Sequence, residues 1–261
     1  MVDFIYNMPP YFLRIAINVT VLLVLLCGNL LVRRYCIRDN IDHDAVNGAS
    51  AIVSMMYAIF IGFVIFASVN NLSTAEDAAR TEAHLVSTIN YDASFLPKPV
   101  NGEVQQALKN YLNDVVNKEW PAMKQGAVDN SGLESLKQLK VLLLNHRPAD
   151  ADAVNVNVWT DVMQQTNNLF QEHEDRIHYS QNLSLSKGVW YCLISATLVL
   201  LVSSSFFFFE DRRKYVILLA CIGIITGLLL FLETSINFPY RGYYGVSPDG
   251  FKTLLTQQDF W

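Results

Sequence analysis

Few residues in this chain are spaced for chemistry. The densest group is "QEHEDRIHYS", which holds His173, Glu174 and His178. On a helix the two histidines, five positions apart, diverge, while Glu174 and His178, four apart, share a face. A metal ion needs three or four converging ligands. The stretch therefore predicts a polar pair on a solvated helix, and neither a metal centre nor a cofactor is expected. His84, in "RTEAHLV", has the titration range of a pH sensor, but its setting predicts a partly exposed helix residue. The sequence contains no GxGxxG, GxxxxGK[ST], GxSxG or HExxH, so no catalytic residue is assigned and no enzyme is expected.

A second kind of chemistry is the passage of ions. "SMMYAIFIGFVIFASVNN" carries Phe60, Phe63 and Phe66, then Asn70 and Asn71, with Asp77 further along. An apolar constriction gates by dewetting, and rings of amides or carboxylates bias which ions enter. If several copies surrounded this helix, the three Phe would form a gate and the two Asn with Asp77 a polar vestibule. The plainer reading is an aromatic stripe facing lipid or core, with an ordinary polar exit.

The elements that must hold these residues follow from composition. The chain has 261 residues, of which 52% are hydrophobic and 16% charged, against roughly 25% charged in a soluble domain. Four apolar segments, Ile15–Val32, Ala51–Val69, Val189–Phe209 and Tyr215–Leu232, contain no Asp, Glu, Lys or Arg. Each is long enough to cross a bilayer, and helix is the form that satisfies its backbone there. The first is longer than a signal-peptide core and "RRYCIRD" follows it, so it is expected to be retained. Hydroxyls and amides in these segments, including Asn18, Asn29, Ser68 and Thr197, predict glue between helices. Gly223 and Gly227 form a GxxxG pair that predicts close packing. Glu233, one residue past the fourth segment, is expected at the membrane interface. Cys27, Cys36, Cys192 and Cys221 all lie in or beside apolar segments and form no disulfide or metal pattern.

Two short loops carry six basic residues, Arg33, Arg34 and Arg38 in one and Arg212, Arg213 and Lys214 in the other, diluted by Asp39, Asp42, Asp44, Glu210 and Asp211. Counting Lys and Arg places both loops in the cytoplasm. The expectation is a multi-pass protein of the bacterial plasma membrane, with both termini and the long insertion in the periplasm.

That insertion, 70–186, has 15 acidic and 9 basic residues, a net of −6, which argues against nucleic acid as a partner. It reads helical throughout. Leu72, Ala75, Ala79, Ala83, Val86 and Ile89 make one stripe, and no breaker separates it from the second apolar segment. Val104, Leu108, Leu112, Val115 and Val116 make another. Ser131 with Glu134 fits a capping box. The segment 151–186, with Val154, Val158, Val162, Leu169, Ile177 and Leu183, has no Gly or Pro and predicts a helix running into the third span. The expected division is 1–69 as spans one and two, 70–186 as a soluble helical insertion continuous with spans two and three, 187–238 as spans three and four, and 239–261 as an interfacial tail. The fold class is all-α, an integral membrane protein.

Three stretches resemble the bestrophin-like domain family. One is "MYAIFIGFVIFASVNNLSTAEDAARTEAHLV", with Glu82 and Ala83 as its Glu-Ala pair; another is "NYLNDVVNKEWPAM", with Glu119, Trp120 and Pro121. The last is "NFPYRGYYGVSPDGF", where Pro239, Gly242, Val246, Pro248 and Phe251 match. Asn237 stands where an Asp is common and Tyr240 where a Phe is common, so a charge-bearing role at 237 does not carry over. The resemblance implies a four-pass membrane protein with a helical insertion, and points by name to bestrophins, oligomeric anion channels with an apolar neck on their second span. Bestrophins keep their insertion in the cytoplasm, opposite to the count of basic residues here. Two functions follow as expectations. One is a homo-oligomeric channel in the lipid bilayer, its ion left open. The other is a membrane-anchored scaffold or sensor whose insertion binds a protein partner.

Overall fold

The computed structural model of the chain describes residues 8–35, 43–149, 152–182, 184–207 and 212–257. Cys36, Arg38, Asp39, Asp42, Leu183, Glu210 and Asp211 lie outside the described residues, as does the end of the third apolar segment at 208–209. All the described elements are helices: α1 Pro10–Tyr35, α2 His43–Ala93, α3 Val100–Asp114, a π-helical turn Val115–Glu119, α4 Trp120–Lys124, α5 Ser131–Asn145, α6 Ala153–Gln181, α7 Lys187–Ser204, α8 Arg212–Ile236 and α9 Asp249–Thr256. Helices α1, α2, α7 and α8 are long and apolar enough to cross a membrane. Helix α2 has 51 residues and is unbroken through the end of the second apolar segment, as the lack of breakers predicts.

The chain forms two units. One is drawn from Met1–Asn71 and Leu183–Asn237, the other from Leu72–Asn182 and Phe238–Trp261. In the first, α1 packs on α8 and α7. The glycine pair does what its spacing predicts. A Cβ on Gly223 would come within 2.6 Å of Leu22, and one on Gly227 within 3.0 Å of the Asn18 Cα. Tyr57, Ile61 and Val64 of α2 form an apolar cluster with Leu185, Leu193 and Leu200. Polar glue joins the same helices. The Tyr57 and Thr197 hydroxyls share a 3.2 Å hydrogen bond, Ser50 donates to the Ser203 carbonyl at 3.0 Å, and the Asn29 amide donates to the Tyr215 hydroxyl. Each such bond contributes about 1 kcal/mol or less.

The second unit has its own core, in which Val86, Ile89, Val104, Leu108, Leu112, Val115, Leu136, Leu139, Val162 and Leu169 are buried. On α2, α3 and α6 these lie on the stripes that the spacing picks out; Leu136 and Leu139 of α5 join them. Val154, by contrast, is exposed, because α6 starts only at Ala153, capped by the Asp152 carboxylate at the Asn155 N–H. At α5 the expected cap is shifted. Ser131 is the first helical residue, and the Asp129 carboxylate accepts its N–H at 2.8 Å.

The run 151–186 is not one helix. Helix α6 ends at Gln181, Asn182 is extended, and α7 restarts after Ser186, whose hydroxyl accepts the Val189 N–H. No Gly or Pro makes this break. Asn237 makes it, by accepting the Ser184 N–H on its carbonyl at 2.8 Å and the Leu185 N–H on its side-chain oxygen at 3.2 Å. Backbone donors satisfied this way are withdrawn from a helix.

Candidate functional site

Two arrangements stand out, one on the outer face of α2 and one buried in the second unit. Along α2 the buried positions Tyr57, Ile61, Val64 and Ser68 alternate with exposed ones at helical spacing. Phe63 and Phe66 are each 71% exposed. Asn70 and Asp77 continue the same exposed register. Phe60 is half-buried and packs toward Tyr57 and Ile61. Asn71 turns inward and donates its amide to the Ser184 carbonyl at 2.7 Å. Four of the six residues singled out along this helix therefore share one open face. Gly62 leaves a hollow there, lined by Ala58, Ile59, Phe63 and Phe66.

The buried arrangement centres on Arg176, which is fully enclosed. Its Nε donates to Glu82 at 2.6 Å and a terminal nitrogen to Glu119 at 2.6 Å. The same nitrogen lies 3.0 Å from the Nδ1 of His173, and the other terminal nitrogen lies 3.4 Å from the Met123 sulfur. The Tyr111 hydroxyl donates to Glu82 and lies 3.2 Å from His173 Nδ1. His173 faces both acids, 3.7 Å from each. Two aromatic faces close the guanidinium in, Trp120 at 5.4 Å and Phe251 at 5.9 Å. Buried charges are tolerable only when paired and hydrogen-bonded in this way.

Each element brings its member for a local reason. Val162, Thr166, Leu169, His173, Arg176 and Ser180 form the buried stripe of α6, at alternating steps of three and four. Glu82 lies on the buried stripe of α2 beside Ala79 and Ala83. The π-helical turn takes one more residue per turn than an α-helix, and both Glu119 and Trp120 come out buried from it. Glu119 also accepts the Gly132 N–H at 2.9 Å. A Cβ on Gly132 would meet the Glu119 carboxyl carbon at 2.7 Å, so only glycine lets α5 approach this closely. Pro121 follows at the exposed start of α4.

Electrostatics follow from this packing. Burial raises the Glu82 carboxyl, but the Arg176 charge and the His173 contact outweigh it and bring it down to about 2. Burial and the Glu82 charge push the Tyr111 phenol well above its ordinary value. Burial opposes the charge on Arg176, yet Glu82, Tyr111 and Glu119 hold it more firmly protonated than a free guanidinium. The cluster is thus a fixed ionic clamp joining α2, the π turn and α6, with no open space for a substrate.

The C-terminal segment completes it. Trp120 packs against Tyr240 at 5.6 Å and Phe251 at 5.4 Å, and the Tyr240 hydroxyl donates to the Ala75 carbonyl at 2.8 Å. The small residues Ala79 and Ala83 let this segment approach, and a Cβ added to Gly250 would lie 3.6 Å from the Ala83 Cβ. The Pro239 carbonyl accepts the Val246 N–H at 2.7 Å, across a turn in which Gly242 has φ +76°, a conformation that glycine adopts without strain. Pro248 is buried at the start of α9.

Spacing alone singled out His173, with Glu174 and His178 as its company. Its partners in the fold are Glu82, Tyr111, Glu119 and Arg176. Arg176 itself escaped notice, although the step from Leu169 through His173 places it on a buried stripe. Among the described residues no group of three or more His, Cys, Asp or Glu could hold a metal ion.

A family model described as the Bestrophin-like domain matches residues 18–251. Several solved structures are similar in fold. A membrane protein with a proline-to-alanine substitution has a TM-score of 0.68 at 10% identity, over 93% of this chain and 95% of that one. A tyrosine-to-alanine variant of a bacterial bestrophin homologue from Klebsiella pneumoniae has a TM-score of 0.64 at 11% identity, over 93% and 94%. A leucine-to-threonine variant from the same organism has 0.62 at 10%, over 93% and 96%. No curated protein matches the chain.

Proposed function

Because this chain belongs to the bestrophin-like domain family, we propose that it is an ion channel of the bacterial plasma membrane, formed by several copies arranged around α2. The observation that carries this reading is the open face of α2. Phe63 and Phe66, each 71% exposed, supply the apolar constriction, and Asn70 with Asp77 supply the polar approach to it. Phe60 borders the constriction from its half-buried position. Asn71 braces the helix through Ser184 instead of lining the path. A helix that faced only lipid would gain nothing from two large aromatics followed by an amide and a carboxylate in one register, whereas an apolar ring followed by polar rings is the construction that gates and selects ions.

The ionic clamp has a supporting part in this reading. It fixes the rotation of α2 at Glu82, and the direction in which Asp77 points follows from that rotation.

Purified full-length chain in liposomes tests the proposal. Ion flux is expected from the wild type, and Phe63→Ala is expected to raise it several-fold by widening the gate. Native mass spectrometry is expected to find a closed ring of copies. A monomer without flux, captured together with a stoichiometric protein partner, overturns the channel in favour of a membrane-anchored scaffold or sensor.

A further inference from the structure

Glu233 lies one residue past the fourth apolar segment, where the sequence predicts a position at the membrane interface. In the fold it is fully buried. One carboxyl oxygen accepts the Ser68 hydroxyl at 2.6 Å. The other is buried and meets no hydrogen-bond donor. Among the described residues no charged or titratable group bears on it, and the one polar group that does is the Ser68 hydroxyl of α2. The polar groups nearby in sequence are engaged elsewhere. Ser235 donates to the Phe231 carbonyl, Asn71 to the Ser184 carbonyl, and Asn237 accepts from Leu185.

An ionised carboxylate placed there would be a buried charge whose second oxygen meets no donor from the chain, which is costly. A neutral carboxylic acid in the same place leaves only an uncharged group short of a partner, a far smaller cost. We propose that Glu233 is a proton-binding site, held as a carboxylic acid in the seam between α2 and α8. Release of the proton leaves a charge that must be hydrated, and hydration parts the seam at Ser68. Ser68 lies on the side of α2 away from Phe63 and Phe66, so the proton state acts on the open face from behind. This last step rests on the channel reading; the proton site itself does not.

Infrared spectroscopy of the full-length protein at neutral pH tests the site. The carbonyl stretch of a protonated carboxylic acid is expected in the wild type, with the intensity of one group per chain. It is expected to vanish in Glu233→Gln, to persist in Glu82→Gln, where Arg176 keeps the wild-type carboxylate ionised, and to shift in Ser68→Ala, which removes the hydrogen bond. A wild type without the band, or a band that survives Glu233→Gln, overturns the proton site. Liposome flux across a series of pH values tests the coupling. A pH dependence present in the wild type and absent from Glu233→Gln supports it, and an unchanged dependence overturns it. If neither protein conducts while the band behaves as described, the proton site stands and the channel reading falls.

Discussion

Arg176 satisfies two carboxylates that lie 94 and 57 positions away in the chain, and its removal or theirs leaves a charge buried without a partner. Glu82 shows the sign of the effect. Its carboxyl titrates near 2 in the folded chain against an ordinary 4.5. A depressed carboxyl stabilises the fold above its ordinary value, and the contribution is lost as pH falls through the folded value. The thermal midpoint of detergent-solubilised protein is therefore expected to fall between pH 4.5 and about 2. Glu82→Gln is expected to start on the order of 3 kcal/mol less stable and to fall less steeply over that range. Identical melting curves for the two proteins would refute the assignment. The residue types of this clamp were only half visible in the sequence. Glu82, Glu119 and Trp120 stood out through the family resemblance. His173 drew attention with its own helix neighbours, because spacing reports who shares a helix face and not who arrives from another helix. Arg176 looked like one more surface charge in an acidic insertion.

At the scale of elements, periodicity was informative and termini were not. The buried stripes of α2 and α3 lie where the apolar spacing put them, since burying one face is what organises a helix. The break between α6 and α7 was invisible because its cause, Asn237, sits at the end of another element. The GxxxG pair of α8 was legible because close packing in membranes needs small residues at that interval. Gly227→Leu is expected to push α8 off Asn18 and to cost about 1–3 kcal/mol or more, read as a lower thermal midpoint. Gly102→Leu on α3 is the control, because a Cβ at Gly102 meets nothing within 4 Å and its midpoint is expected to stay near that of the wild type. Equal losses in both variants would remove the case for a glycine-mediated contact between α1 and α8.

For the whole molecule, orientation is the open architectural variable. The six basic residues of the short loops predict an insertion outside the cytoplasm, while the family resemblance predicts one inside. Val154 is exposed on α6, so Val154→Cys is a surface reporter. A membrane-impermeant maleimide is expected to label it in intact cells with a permeable outer membrane, above the background of the native Cys27, Cys36, Cys192 and Cys221. Labelling only after lysis would reverse the topology. Both units are also discontinuous, each assembled from an early and a late stretch of chain. That has a consequence for biosynthesis. The ribosome finishes Glu82, Glu119 and Arg176 long before it reaches Tyr240 and Phe251, the rings that wall in Trp120. Until Tyr240 and Phe251 emerge, the nascent second unit has its ionic centre with one side open, and a chain truncated before Tyr240 would carry all four apolar helices yet lack the rings that complete the second unit.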